Sequence, residues 1–403
     1  MASSDTPSVT FLLDNRTKNE REILRLIRQK HTLPKTEIAS LSGLSAQSAT
    51  VIIKKLESDN LVRRFKPVRG TVGQPKIPFG LNADGAFGLG LKIGRRSFDM
   101  TLLDLAGNVR ASLHEKIDYP TVEHLFSFAQ RGFTVLTQQL TQQQHASIRG
   151  VGVAMPFELW SWAEEAGAPQ DALQAWQNIN IQRALHQCLG LPVFVSNDAM
   201  AACGAEMAFG NSSHHNHFLY VFIGTFLGGG LVINNQLFSG KSGNAGAIGS
   251  LPFMSASQRQ QLITQSSLYL LEKELTKAHF NGKHIYANPD HWSFDAMLMK
   301  DNVENSAQTQ KDYERIIENW ISQAAEGIAF AAQCAFSMLD VESVIIDGAM
   351  PQRIKNKLIE RTEHALNNAD LRGVIPGSIC PGSVGSKAQS IGSANLPLIA
   401  NYY

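Results

Sequence analysis

Cysteine is scarce and spaced too widely for metal or disulfide chemistry. Cys188, Cys203, Cys334 and Cys380 are the only four in 403 residues, and no two form a CxxC pair. That excludes a zinc ribbon and a disulfide framework. The N-terminus lacks an apolar leader segment, so a cytoplasmic setting is expected. Long hydrophobic runs are missing too. Phe218 to Ile233 is uncharged, but its central glycines make it two short strands rather than a membrane helix. Net charge is only +1, yet it is uneven: residues 1–80 hold 14 Lys and Arg against seven Asp and Glu, leaving 22 against 28 for the rest. A basic head on an acidic body points to a polyanionic partner for the head alone, although a solvated basic face would give the same count.

A chain of this length is too long for one core and suggests two or three domains. Asn19 to Gln29 reads as a helix, with Ile23, Leu24 and Ile27 at helical spacing. Pro34 breaks it. Thr36 to Ser42 reads as a short helix with Ile38, Ala39 and Leu41 inward, followed by a turn at Gly43. Ser45 is a good N-cap for a further helix to about Asp59, with Ala49, Ile52, Ile53 and Leu56 on one face. Helix, glycine turn, helix is the helix-turn-helix pattern. Leu61 to Phe65 and Ile77 to Leu81 read as strands joined by a basic, Gly/Pro-punctuated hairpin, as a wing would be.

The second helix of such a motif lies in the major groove with its first turn at the base edges. Ser45, Gln47, Ser48 and Thr50 stand there and suit base or phosphate contacts. Lys54 and Lys55 suit phosphates, and Arg63, Arg64, Lys66, Arg69 and Lys76 could grip the backbone or minor groove from the wing. The plainer alternative stays open: Ser45 only caps, and Gln47 is merely solvated.

From Phe87 the pattern changes. Strand-like runs at Gly88 to Ile93, Phe98 to Asp104, Val109 to Ile117, Val151 to Met155, Val193 onward and Val344 to Ile346 alternate with helical stretches. The helical ones are Leu125 to Leu140, Ile179 to Leu189, Ala199 to Phe209, Ser266 to Ala278 and Tyr313 to Met338. This implies an α/β body with mixed sheets, and strand-rich starts near 87 and 218 hint at two related lobes. Gly224 to Gly230 reads as a Gly/Thr turn between strands, able to bring backbone N–H groups to a phosphate.

The helix-turn-helix, Gly70 to Leu81, Leu191 to Gly210 with Asn197-Asp198, Gly224 to Gly230, and Gly385 to Leu398 together resemble the ROK family of repressors, open reading frames and sugar kinases. The resemblance covers nearly the whole chain and matches the repressor branch. It implies a flexible lead-in (1–15), a winged helix-turn-helix (16–82) and a two-lobed, actin-like ATPase or sugar-kinase body of RNase H-like type (83–403). The lobes would be 83–196 plus the C-terminal segment, and 197–380.

Departures from the family pattern bear on function. Its kinases carry Asp-x-Gly-x-Thr on the first body strand, where this chain has Lys92-Ile93-Gly94-Arg95-Arg96. The acid that would help hold Mg²⁺ near ATP is thus Lys92, and the Thr is Arg96. Phe226 stands where the second phosphate turn usually has Gly, and the adenosine-side Gly pair reads Asp347-Gly348. The Glu-x-Gly-His sugar motif reads Ala247-Ile248-Gly249-Ser250, after Gly246. Phe157 replaces a glycine that lets sugar approach the backbone. The zinc cluster that normally follows is absent, since Leu251 to Gln265 hold no Cys or His.

By the same resemblance Asp198 matches the catalytic base, which in a repressor would accept hydrogen bonds from a sugar, with Asn197 adding more. Capping of the Ala199 to Phe209 helix is the local alternative. Phe157, Asn197, Asp198 and Gly246 are the candidate effector contacts. One of Trp160, Trp162 and Trp176, on or near the Ser161 to Ala175 insertion, could stack on a sugar, though packing is the commoner role. His214, His215 and His217 read as a polar turn.

The expectation is a regulator that binds double-stranded operator DNA as a homodimer or tetramer and represses carbohydrate uptake or catabolism genes. A sugar or sugar derivative would be its effector, with no cofactor, metal, membrane or enzymatic role. Two alternatives remain: a body that responds to a protein partner or non-sugar ligand, and an active sugar kinase, which Lys92, Arg96 and Ala247 disfavour.

Overall fold

The computed structural model describes residues 14, 16–67, 76–163, 168–169, 173–211, 214–255, 258–299 and 307–403. Most of the expected lead-in, the wing tip with Arg69, and part of the Ser161 to Ala175 insertion lie outside the described residues. The chain divides into two compact units: residues 1–196 with 390–403, and residues 197–389.

The first unit begins with the head. Helix α1 (Lys18–Lys30) starts at a capping box, with Thr17 and Glu20 each satisfying the other's backbone N–H. It buries Ile23, Leu24 and Ile27 completely. Helix α2 (Lys35–Ser42) ends at Gly43, whose φ of 66° is left-handed, and Ser45 caps α3 (Ala46–Ser58). Ala49, Ile53 and Leu56 are fully buried, so the expected apolar face holds. Leu41 does not point inward: it is 52% exposed. Lying about 200° round α2 from Ala39, it falls off the packed face.

Strand β1 (Thr32–Pro34) was not expected. It pairs with β3 (Pro78–Leu81), which also pairs with β2 (Val62–Arg64), giving a three-stranded sheet. Three residues carry no readable periodicity, and Pro34 reads as a helix breaker when it is in fact an edge-strand proline.

The rest of this unit is a five-stranded sheet in the order β6-β5-β4-β7-β8. Its strands are β4 (Phe87–Ile93), β5 (Ser97–Asp104), β6 (Val109–Lys116), β7 (Ile148–Met155) and β8 (Val193–Asn197). The first three form an antiparallel meander, and β7 joins β4 in parallel. Helices α4 (Val122–Thr137) and α5 (Ile181–Leu189) cover one face, with Leu125, Phe128 and Leu185 in a core that includes Leu89, Phe98 and Val153. Trp176 sits in this core at 2% exposure, its Nε1 donating to Pro120 O at 3.0 Å. It is a packing residue rather than a sugar platform. The other face meets the last helix (Ala388–Tyr402). A Cβ at Gly88 would lie 2.1 Å from Ala394 O, and one at Gly152 would lie 1.8 Å from Ser393 O, so only glycine admits that helix.

The second unit repeats the plan as β11-β10-β9-β14-β15. Strands β9 (Phe218–Ile223), β10 (Leu227–Ile233) and β11 (Gln236–Phe238) form the meander. Strand β14 (Ser343–Gly348) runs parallel to β9, and β15 (Ser378–Pro381) parallel to β14. Each sheet therefore has three antiparallel strands followed by two added across the first. A further hairpin, β12 (Pro252–Ser255) and β13 (Gln258–Gln261), occupies the stretch where the family's zinc motif was missing. The glycine-rich turn is shorter than expected. Leu227 to Gly230 already pair with Tyr220 to Ile223, so only Gly224 to Phe226 form the bend. Helices α6 (Asp198–Phe209), α7 (Leu268–Lys277), α8 (Ala307–Leu339) and α9 (Gln352–Asn367) surround the sheet. Among the described residues no helix is long and apolar enough to cross a membrane.

Candidate DNA interface and effector site

Ser45 Oγ accepts from the Ser48 backbone N–H at 3.1 Å and donates to Ser48 Oγ at 2.9 Å. The Thr50 hydroxyl donates to Ala46 O at 2.8 Å. Three of the four polar residues of the first turn thus spend hydroxyl contacts on the helix itself. Gln47 and Lys54 are exposed on the outward face. Lys55 is pinned to the buried carboxylate of Glu20 at 2.5 Å, tying α3 to α1. Burial alone would raise the Glu20 carboxyl, but bonds from Lys55 and Thr17 outweigh it and hold it below its ordinary value.

On the wing, Arg64 makes a forked contact with Glu57, at 2.7 and 3.0 Å. Arg63 stacks over the Phe65 ring at 4.9 Å, and Lys76 lies 3.5 Å from Glu37. Arg64 is therefore partly neutralised before any phosphate arrives, which the charge count concealed.

The head is fastened to residues 399–403. Arg21 donates to Ile399 O at 3.3 Å and Ala400 O at 3.1 Å, and the Asp14 N–H donates to Asn401 Oδ1 at 2.9 Å. The Arg28 guanidinium lies 3.7 Å from the centre of the Tyr403 ring. Sequence spacing gives no hint of contacts across more than 370 residues.

In the same unit Lys92 lies across the first body loop, its Nζ 2.8 Å from Ser97 Oγ and 3.0 Å from Asp99 Oδ2. His114 Nδ1 is 2.6 Å from the other Asp99 oxygen. Burial would raise the Asp99 carboxyl, but the Lys92 charge and the His114 bond hold it well below the usual carboxylate range. By the family resemblance this tightly paired cation stands at the position where a kinase would have an acidic residue facing Mg²⁺. Phe157, also in this unit, is 51% exposed.

In the second unit the positions that the family resemblance puts on the nucleotide side are also internally engaged. The Gly224 N–H donates to Phe226 O at 3.2 Å and the Leu227 N–H to Ser267 Oγ at 2.9 Å. Phe226 is only 8% exposed and meets Tyr269 edge-on at 5.1 Å. Asp347 accepts from Lys355 Nζ at 2.8 Å, the Gly385 N–H at 2.9 Å and Tyr220 OH at 3.1 Å. Burial, with Asp347 beside it, pushes the Tyr220 hydroxyl well above its ordinary value. Lys355 also donates to Gly382 O at 2.8 Å, while buried Glu206 accepts from the N–H groups of Ser383 and Val384.

Asn197 Oδ1 accepts from the N–H groups of Ala199 and Met200, so the capping role exists. Asp198 accepts from the Ala199 N–H at 2.9 Å and, at Oδ2, from Gln389 Nε2 at 2.8 Å. Gly246 has φ +75°, and a Cβ on it would lie 2.8 Å from Gly230 Cα. Gly228 in turn abuts Ala199, where an added Cβ would be 2.6 Å from the alanine's own. The α6 start, the glycine strand and the Gly246 turn therefore pack edge to edge, bringing three of the four candidate effector residues into one neighbourhood. Their contacts are structural ones. His215 lies 3.7 Å from Glu342, and among the described residues no group of three or more His, Cys, Asp or Glu is placed to hold a metal ion.

Comparison with known proteins matches this arrangement. Residues 88–261 fit the model of the ROK family, and residues 17–69 that of the MarR family. The uncharacterized protein y4fQ of Sinorhizobium fredii is 22% identical over 386 residues, covering 96% of this chain and 92% of that protein. The xylose repressor of Bacillus spizizenii is 22% identical over 233 residues, covering 58% of this chain and 60% of the repressor. A solved ROK family transcriptional regulator, homolog of the E. coli MLC protein, superposes with a TM-score of 0.64 at 19% identity, over 94% of this chain and 95% of that one. At that identity the superposition speaks for the fold alone, and the two family models speak for the segments they match. A winged-helix head matched by the MarR family model precedes a body with two sheets of one topology, and it is residues 88–261 of that body that the ROK family model matches.

Proposed function

We propose that the protein is a transcriptional repressor of carbohydrate genes, whose head binds operator DNA and whose body is a non-catalytic effector domain. The observation that carries this reading is the head: a capped helix presenting Gln47 and Lys54 outward, in a segment with 14 basic and seven acidic residues. The xylose repressor among its relatives supports the sugar-related assignment. Of the candidate DNA contacts, Gln47 is the base reader, Lys54 and Arg63 reach phosphates, and Ser45, Ser48 and Thr50 chiefly shape the helix. Arg64 and Lys76 compete with acidic partners for that role.

A homodimer or tetramer fits this reading, since one head reads few base pairs and two-fold symmetry doubles them. The body would act in the cytoplasm. The domains would be the head at 16–82 and a body at 83–403 with lobes meeting at 196/197.

Absence of phosphoryl transfer is supported by the Lys92–Asp99 pair, buried Phe226 and the Asp347–Lys355 network, which engage the positions a nucleotide would need. Asn197, Asp198 and Gly246 in the second unit would then bind rather than transform a sugar, and exposed Phe157 is the candidate contact in the first unit. Loss of the Glu and His of the sugar motif to Ala247 and Ser250 favours an effector other than an ordinary hexose. The test is fluorescence anisotropy of the full chain on its gene's upstream region, with and without sugars and sugar phosphates. Salt-sensitive, sequence-selective binding relieved by one sugar is expected. Binding that no sugar relieves would move the reading to a protein or non-sugar effector, and no selective binding would end it.

A further inference from the structure

Val51 is 61% exposed in the middle of α3. At 100° per residue it lies about 190° round the helix from the mean direction of Ala49, Ile53 and Leu56. It therefore stands at the centre of the outward stripe, one turn after Gln47 and one before Lys54. Single exposed aliphatics are ordinary on protein surfaces. This one is distinguished by its place, since any docking that brings Gln47 to base edges also presses Val51 into the groove. The fold gains little from it: valine is a poorer helix former than alanine, and with 61% of its surface exposed it lies outside the buried core of the head.

The major groove offers one apolar feature to such a side chain, the C5-methyl group of thymine. The neighbouring polar groups strengthen the point. Ser45, Ser48 and Thr50 hydroxyls bond within α3, so hydrogen-bond readout from its first turns rests mainly on Gln47. We propose that Val51 is a specificity-determining residue that reads a thymine methyl in each half-site, beside a base contact by Gln47. This rests on the DNA-binding reading above and adds the base class that is read.

The probe is a duplex selected by the wild-type chain from a random-sequence pool. Each thymine is replaced singly by deoxyuridine, which keeps the base pair and removes only the methyl group. Wild-type protein should lose roughly three- to fivefold in affinity at one thymine per half-site, the worth of one buried methyl-sized group. Val51→Ala should bind the normal duplex more weakly by a similar factor and be indifferent to deoxyuridine at that position alone. Its unfolding midpoint should be no lower than wild type, because Val51 is outside the core and alanine is the better helix former. Val51→Ile should keep the sensitivity. If no thymine shows this paired behaviour while selective DNA binding persists, the Val51 assignment is wrong and the DNA reading stands. If the pool yields no enriched sequence, both fall.

Discussion

The Arg28 guanidinium lies 3.7 Å from the centre of the Tyr403 ring, joining the first helix of the head to the end of the last helix. The contact sits beside the Arg21 bonds to Ile399 and Ala400. Arg28→Ala removes a cation–π partner and packed methylenes together, at a cost of about 1–3 kcal/mol. The expected result is faster hydrogen exchange at the amides of α1 and of residues 395–402, with the second unit's exchange unaltered. Equal protection in both proteins would show the clasp to be idle.

Lys54→Ala should weaken binding to all DNA sequences and lower the salt slope by about one unit or less. Arg64→Ala should change the slope less, because Glu57 already holds Arg64 in a forked pair. Gln47→Ala should instead flatten the preference between selected and random duplexes. Salt titrations of the three variants give the ranking directly, and an Arg64 effect equal to that of Lys54 would mean the pair opens on DNA at no cost.

A coupled ADP-release assay with hexoses, N-acetylhexosamines and xylose should give no sugar-dependent turnover for the wild-type chain. Lys92→Asp should not rescue it, because Phe226 and the Asp347–Lys355 network remain. That substitution also sets a second carboxylate beside Asp99 in place of its ion-pair partner, so the unfolding midpoint should drop. Turnover by wild type near 0.1 per second, about a tenth of slow kinase rates, would overturn the regulator-only reading.

Bonds from Lys55 and Thr17 hold the folded Glu20 carboxyl below its ordinary value. A carboxyl lowered on folding contributes stability above its unfolded pKa and loses it as pH falls through the folded one. Wild type should therefore unfold at a higher temperature than Glu20→Gln at neutral pH, and the gap should close as pH drops below about 4.5. A gap that stays constant to pH 3 would locate the effect in shape rather than charge.

The head was largely legible from its sequence. Helical spacing at Ile23, Leu24 and Ile27, the left-handed Gly43 and the cap at Ser45 are local signals, and they gave α1 to α3 almost to the residue. The doubled sheet plan was visible only as strand-rich starts near 87 and 218, because strand order depends on crossovers. Lys92 could be seen to break the phosphate motif, but its bond to Asp99 depends on the register of β4 against β5. Strand β1 was too short to show a period, and Leu41 misled because an apolar residue near a helix end can fall on either face. Gln389 on Asp198 and Arg21 on Ala400 join residues far apart in the chain, where no spacing rule reaches.

The glycine-lined groove over Gly88 and Gly152 is closed by Ser393 and Ala394, which follow the whole second unit in the chain. On the ribosome that order becomes a delay. At 5–20 residues per second, translating the intervening 197–389 takes roughly 10 to 40 seconds, during which the first sheet has one face uncovered. The head is synthesised early but cannot be fastened until residues 399–403 emerge, so a nascent chain lacks the body's grip on its DNA reader for that interval.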